Sequence, residues 1–174
     1  MTKSLKIYTV GHSTHPIDEF VHILRAHGVE RLIDIRTIPK SRANPQFCHD
    51  ELARLMHSRR ISYRHLKDLG GLRHTNVNSI NKAWHNASFR GYADYMQTDE
   101  FAKGIEKLIE LATEKITAIM CAEAVPWRCH RSMVADALIV RGIKVIDLYS
   151  KTNAKSHSLS KLAKVDHWTV TYPA

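Results

Sequence analysis

Ile116-Thr117-Ala118-Ile119-Met120-Cys121-Ala122-Glu123-Ala124-Val125-Pro126-Trp127-Arg128-Cys129-His130-Arg131 is the stretch that decides the fold. Ile116 to Met120 is an apolar run of the length of a buried strand. Ser132 to Arg141, just beyond, carries Met133, Val134, Ala137 and Leu138 at the spacing of one helix face, and Gly142 stops it. A strand that passes through a short loop straight into a helix is half of a βαβ unit. The loop between them gathers two cysteines, a glutamate, two arginines and a histidine.

Outward from this unit the same alternation repeats. Lys6 to Val10 is a β-branched run ending at Gly11, a first strand. A helix follows, with Pro16 in its first turn, Asp18 and Glu19 near its positive end, Ile17, Phe20, Val21 and Leu24 on one face, and Gly28 as its stop. Val29 to Ile35 reads as a second strand and Asp50 to Arg60 as a helix. Ile61 to Leu66 reads as a third strand. Between them, Thr37 to Phe47 holds two prolines and interleaved polar residues, a basic loop. Gly70 to Ala87 is an irregular stretch of a length that compact domains usually keep for function. A short helix runs through Met96. A longer one, capped by Thr98 or Asp99, carries Phe101, Ile105, Leu108, Ile109 and Ala112 as its apolar stripe. Ile143 to Tyr149 is a fifth strand. The tail from Ser150 is polar until His167 to Tyr172, whose alternation predicts a late edge strand.

Strands separated by helices predict an α/β fold: one three-layer domain over 1–150, with a mostly parallel sheet flanked by helices. Residues 151–174 form a C-terminal extension. Ligands of such sheets bind outside the carboxyl ends of the strands. That rule places the Gly11–Thr14 turn, Asp34 and Arg36, the Tyr63–Leu66 exit and the Cys121–Arg131 loop on one rim.

The 174 residues, 44% of them hydrophobic and 25% charged, suit one soluble domain with its own core. No apolar run approaches the ~20 residues of a bilayer span, so no membrane partner is expected. Met1 to Lys6 leads directly into a strand without a leader-like apolar segment, and the expected location is cytoplasmic. Three cysteines speak against a disulfide framework. The net charge of +9 is uneven: residues 31–90 hold twelve Lys and Arg against four Asp and Glu. Such an excess predicts either a local anion-facing surface or a solvated basic face.

Several residues on the rim are suited to chemistry. Cys121 ends a strand near Arg128, Arg131 and a helix start, surroundings that favour a thiolate nucleophile; the competing reading is a small buried hydrophobe. Its interval to Arg128 is one longer than in the Cys-x5-Arg loop of cysteine phosphatases, and glycines are missing. Glu123 and Asp34 are candidate proton-transfer groups; Glu123 could instead pair with Arg128 or Arg131. Cys129, His130 and Arg131 open the next helix, where free amides and the helix dipole suit an anion that Arg131 would grip. For Cys129 the structural role comes first, and for His130 so does capping or packing. Gly11, His12 and Ser13 form a second turn into a helix, with Ser13 or Thr14 as its N-cap or as an anion contact. Arg36, Lys40, Arg42, Arg73 and Arg90, with Tyr63, Trp84, Phe89, Tyr92 and Trp127, combine charge and stacking faces suited to a nucleotide or single-stranded nucleic acid, although Tyr92 also fits a core. The twelve histidines yield no metal-ligand spacing, so no cofactor is expected and a metal only from scattered loops.

The ordered set Thr9-Val10-Gly11-His12-Ser13, Asp34-Ile35-Arg36, Ser41–Phe47, Leu69-Gly70-Gly71, Phe89-Arg90-Gly91-Tyr92-Ala93, Cys121-Ala122-Glu123 and Cys129-His130-Arg131 resembles the prokaryotic family of domains of unknown function number 488. The resemblance spans about residues 7–150. It implies a compact α/β fold with a shared polar pocket and no assigned reaction. Ala124-Val125 departs from it, at a place where a polar residue would be expected. The expectation drawn from the residues is a hydrolase or transferase for a phosphorylated, nucleotide or nucleic-acid substrate. The alternative is a non-catalytic nucleic-acid-binding module using the basic 31–90 region. The sequence leaves the oligomeric state open.

Overall fold

A computed structural model describes residues 4–174; Met1 to Lys3, with which the expectation of a direct lead into the first strand begins, lie outside the described residues. Five parallel strands build the sheet: β1 (Lys6–Gly11), β2 (Arg31–Asp34), β3 (Ser62–His65), β4 (Thr117–Cys121) and β5 (Lys144–Leu148). With the short antiparallel β6 (Ala154–Ser156), their order is β3-β2-β4-β1-β5-β6. The helices are α1 (Ile17–Ala26), α2 (His49–Ser58), α3 (Ala87–Tyr95), α4 (Asp99–Glu114) and α5 (Arg131–Ile139). This is the α/β domain with a mostly parallel sheet that the alternation predicts.

Period-2 alternation divides the core between the two faces of the sheet. Tyr8, Val10, Leu32, Ala118 and Met120 pack with Phe20 and Leu24 of α1 and Leu52 and Met56 of α2. Ile7, Ile33, Ile119 and Cys121 face the other way, toward Tyr92, Ile105, Leu108, Val134 and Leu138. Each face therefore buries one register of every central strand. The chain leaves β1 outward to β2 and β3, then returns to insert β4 between β2 and β1 before continuing to β5. The connections leave β1 and β4 in opposite directions along the sheet, as at the switch points where α/β sheets bind ligands.

Local signals fix the helix ends. Gly28 and Gly142 adopt φ of 73° and 82°, conformations that favour glycine. The Thr98 side chain accepts a bond from the Phe101 amide, and Asn86 caps α3 through Ser88 and Phe89. The N-cap expected at Ser13 or Thr14 lies elsewhere: α1 starts at Ile17 with Pro16 at the cap position and no side-chain cap. The Ser13 amide is instead bonded to Ala122 O, which draws the turn away from the helix.

The tail also differs from its expectation. Thr169–Thr171 (β8) pairs with Lys164–Asp166 (β7) in a separate hairpin, while Ala154–Ser156 takes the open edge of β5. Ser150 Oγ accepts bonds from the Thr152 and Asn153 amides, and this tight turn delivers β6 to the edge first. The late strand is held by Asn81 and Gln97 side chains instead, with Val170 and Tyr172 buried against the helical layer.

Candidate functional site

The carboxyl ends of β2 and β4 open into a cleft of about 440 Å3. Its floor is Cys121, Cys129 and His130. Glu123, Arg128, Arg36, Lys40, Leu72 and Phe89 form the walls. The β4 loop is fastened to the end of β1: His12 N donates to Cys121 O at 2.9 Å and Ser13 N to Ala122 O at 3.0 Å. Gly11 permits this closeness, because a Cβ there would overlap the Glu123 carbonyl. Gly71 does the same on the far wall, where a Cβ would lie 2.6 Å from His130 Nδ1.

Beneath the floor lies Arg131, fully buried. Its Nη1 donates to Cys121 Sγ at 3.4 Å and to Glu123 O at 3.2 Å. Its Nε and Nη2 have no hydrogen-bond partner, and among the described residues no carboxylate pairs with it. An uncompensated guanidinium in a protein interior is strongly unfavourable, so the group needs an anion. The sulfur it touches can supply one. Burial pushes the Cys121 thiol up, but a hydrogen bond from Cys129 and the charge of Arg131 outweigh it and bring the thiol below its usual value. Cys129 moves oppositely, its hydrogen bond to Cys121 and its burial holding it protonated. Of the two thiols, Cys121 is therefore the one whose surroundings favour loss of the proton and Cys129 the one that retains it.

His130 completes the arrangement as a neutral base. Its Nε2–H donates to Ile35 O at 2.9 Å, leaving Nδ1 as an acceptor 3.4 Å from Cys129 Sγ. Burial lowers its pKa to about 4. Nδ1 is thus placed to accept from the Cys129 thiol under the cleft.

The other predicted residues divide clearly. Glu123 is exposed and is the one carboxylate lining the cleft. Asp34 is buried and taken: its oxygens accept from Arg36 N, Nε and Nη2 and from Tyr63 OH, so it is not available to transfer protons. Arg36 reaches the cleft wall, yet most of its donors are spent on Asp34 and Phe47 O. His12 stacks on Phe47 at 4.3 Å and its Nε2 faces Arg36 Nη1; burial keeps it neutral, its pKa lowered to about 4. Gly11, His12 and Ser13 support the loop from behind and do not line the cleft. Arg90 donates to Trp84 O, and buried Tyr92 donates to Leu69 O. Both brace the Gly70–Ala87 stretch.

Two expectations change. Arg131 does not face an anion in the cleft; its contact is the thiol pair, because α5 begins with this residue turned toward the core. The start of α5 is not open to a ligand either, since the amides of Arg131, Ser132 and Met133 are already bonded to Cys129 Sγ, Cys129 O and His130 O. Half of the basic excess is engaged within the chain. Six of its twelve groups are engaged: Arg31 with Glu114, Arg36 with Asp34, Arg54 with Glu51, Arg59 with Asp18, and Arg73 and Arg90 with backbone carbonyls.

A cluster that the sequence did not reveal lies at the edge of the sheet. His157 from the tail donates through Nδ1 to Asp147 at 2.9 Å and through Nε2 to Asp136 at 3.3 Å. Tyr172 OH also bonds Asp136, and Thr9 Oγ1 bonds Asp147. Buried aspartates on β5 and α5 were the available signal; nothing in spacing named their partner.

Among the described residues no group of three or more His, Cys, Asp or Glu is placed to hold a metal ion. None of the described helices is long and apolar enough to cross a membrane. A family model described as "Domain of unknown function DUF488" matches residues 16–138. No curated protein and no solved structure matches the chain.

Proposed function

Because the chain belongs to the DUF488 family, whose description assigns no reaction, its chemistry rests on its own site, and we propose a thiol-dependent hydrolase or transferase for an anionic, phosphorylated substrate. The observation that carries this reading is the buried Arg131 guanidinium, which lacks a carboxylate and lies 3.4 Å from Cys121 Sγ. A cation so placed makes the sulfur a thiolate, the form of cysteine that attacks electrophilic centres. Lys40 and Arg128 on the walls supply charge for the substrate's anion. Glu123 is positioned to accept a proton from the water or acceptor that resolves a covalent intermediate. Cys129 and His130 hold the proton that keeps Cys121 charged.

The test is protection. Iodoacetamide should label Cys121 in the native protein, and inorganic phosphate should slow that labelling in a saturable way that Arg128→Ala weakens. Labelling that no concentration of phosphate alters would overturn the anion-substrate reading.

A further inference from the structure

A second cleft, of about 360 Å3, lies across the Pro126–Arg128 turn from the first. The two share walls. Pro126 and Trp127 line the second cleft while Arg128, Cys129 and His130 line the first. Trp84 lines the second and Phe89 the first, and these rings touch edge to face with centroids 5.2 Å apart. A ligand held in the thiol cleft therefore has a neighbouring compartment within reach over a single turn of chain.

The chemistry of this compartment differs from that of the first. Trp127 is 63% exposed, a large ring with nothing stacked on it among the described residues. Trp84, on the wall, has its Nε1 buried without a hydrogen-bond partner. Tyr149 and Lys155 form the rim, and Ser132, Ser158 and Ser160 add hydroxyls. The carboxylates beneath, Asp136 and Asp147, are covered by His157, Tyr172 and Thr9, which leaves a floor without exposed negative charge. Residues 155–160 come from the tail, beyond the family match that ends at 138. The thiol site thus belongs to the family domain, and this wall is added by the chain's own extension.

We propose that the second cleft is the ring subsite of the thiol site, and that the substrate is a nucleotide whose base stacks on Trp127 while its phosphate lies in the first cleft. The proposal rests on the thiol-site reading above and deepens it. Flat π-faces with a nearby cation and a few hydrogen-bonding groups are the combination that holds a base with little sequence preference. The same nucleotide unit can be free or the 5′ end of a single strand, and the two sources share this chemistry.

Calorimetric titrations with inorganic phosphate, AMP and a 5′-phosphorylated single-stranded oligonucleotide test the proposal, on wild type and Trp127→Ala. Trp127 is exposed, so its removal leaves the fold intact. AMP is expected to bind about tenfold or more tightly than phosphate, and Trp127→Ala to erase that difference while leaving phosphate affinity unchanged. An oligonucleotide tighter than AMP identifies a strand end as the source; equal affinities identify the free nucleotide; both support the subsite. AMP no tighter than phosphate, or an AMP advantage that survives Trp127→Ala, overturns the subsite while phosphate protection of Cys121 keeps the thiol reading. Absence of binding and of protection by every probe overturns both.

Discussion

His157 fastens the tail to the domain, and removing it should be costly in a pH-dependent way. His157→Ala deletes two charge-assisted hydrogen bonds, at 2.9 Å to Asp147 and 3.3 Å to Asp136, carboxylates that are 5% and 1% exposed. Such bonds contribute roughly 1.5–3 kcal/mol each, the longer one at the low end. Each carboxylate keeps another donor, Thr9 for Asp147 and Tyr172 with the Ser160 amide for Asp136. A loss of about 3 kcal/mol is therefore expected, short of the full cost of stranding a buried charge. Burial alone would lower the imidazole pKa, but the two carboxylates outweigh it and raise it to about 9. A histidine whose folded value lies above its unfolded ~6.5 contributes fully below that value and loses the contribution as pH rises through 9. Urea unfolding of wild type and variant at pH 6.5 and pH 10 measures both effects. The gap should be about 3 kcal/mol at the lower pH and should narrow at the higher. A gap under ~1 kcal/mol at pH 6.5, or one that stays constant to pH 10, refutes the latch.

The acid side has the opposite sign. His12 and His130 are held neutral with values of about 4, so their contribution is present above the unfolded ~6.5 and declines as pH falls toward 4. For His130, half-buried at the cleft floor, the decline amounts to at most roughly 3 kcal/mol, and a wild-type stability that stays flat between pH 6.5 and 4 contradicts it. Gly11→Ala drives a methyl into the Glu123 carbonyl and to 2.8 Å from Arg131 Nη1, and should cost about 2 kcal/mol or more. Gly142→Ala meets nothing within 4 Å and should cost only the strain of its φ, about 1 kcal/mol. Thermal melts showing equal losses at the two glycines would remove the case for tight packing at Gly11.

The alternation of strands and helices was legible because each central strand is buried on both faces and each helix carries one apolar stripe. The rule for strand carboxyl ends then brought Cys121, Glu123, Cys129, His130 and Arg36 to one cleft from segments far apart in sequence. Side-chain direction was the limit. That Arg131 turns inward under the thiols depends on where α5 begins, and that Asp34 spends itself on Arg36 and Tyr63 depends on the pairing of β2 with β3. A period of 2 or 3.6 carries neither. The His157 cluster joins residues 10 and 21 positions apart through side chains alone. The edge strand Ala154–Ser156, three exposed residues, has no pattern to read.

The ionisation of Cys121 bears most directly on the central claim. Its alkylation rate can be followed from pH 5 to 10 by mass spectrometry of the labelled peptide, in a Cys48→Ser background and again with Arg131→Met. The account predicts an apparent pKa below the ordinary thiol value of ~8.5, and a rise of a unit or more when Arg131 is lost. A Cys121 that titrates at or above ~8.5 in the intact protein, or one indifferent to Arg131→Met, would contradict it.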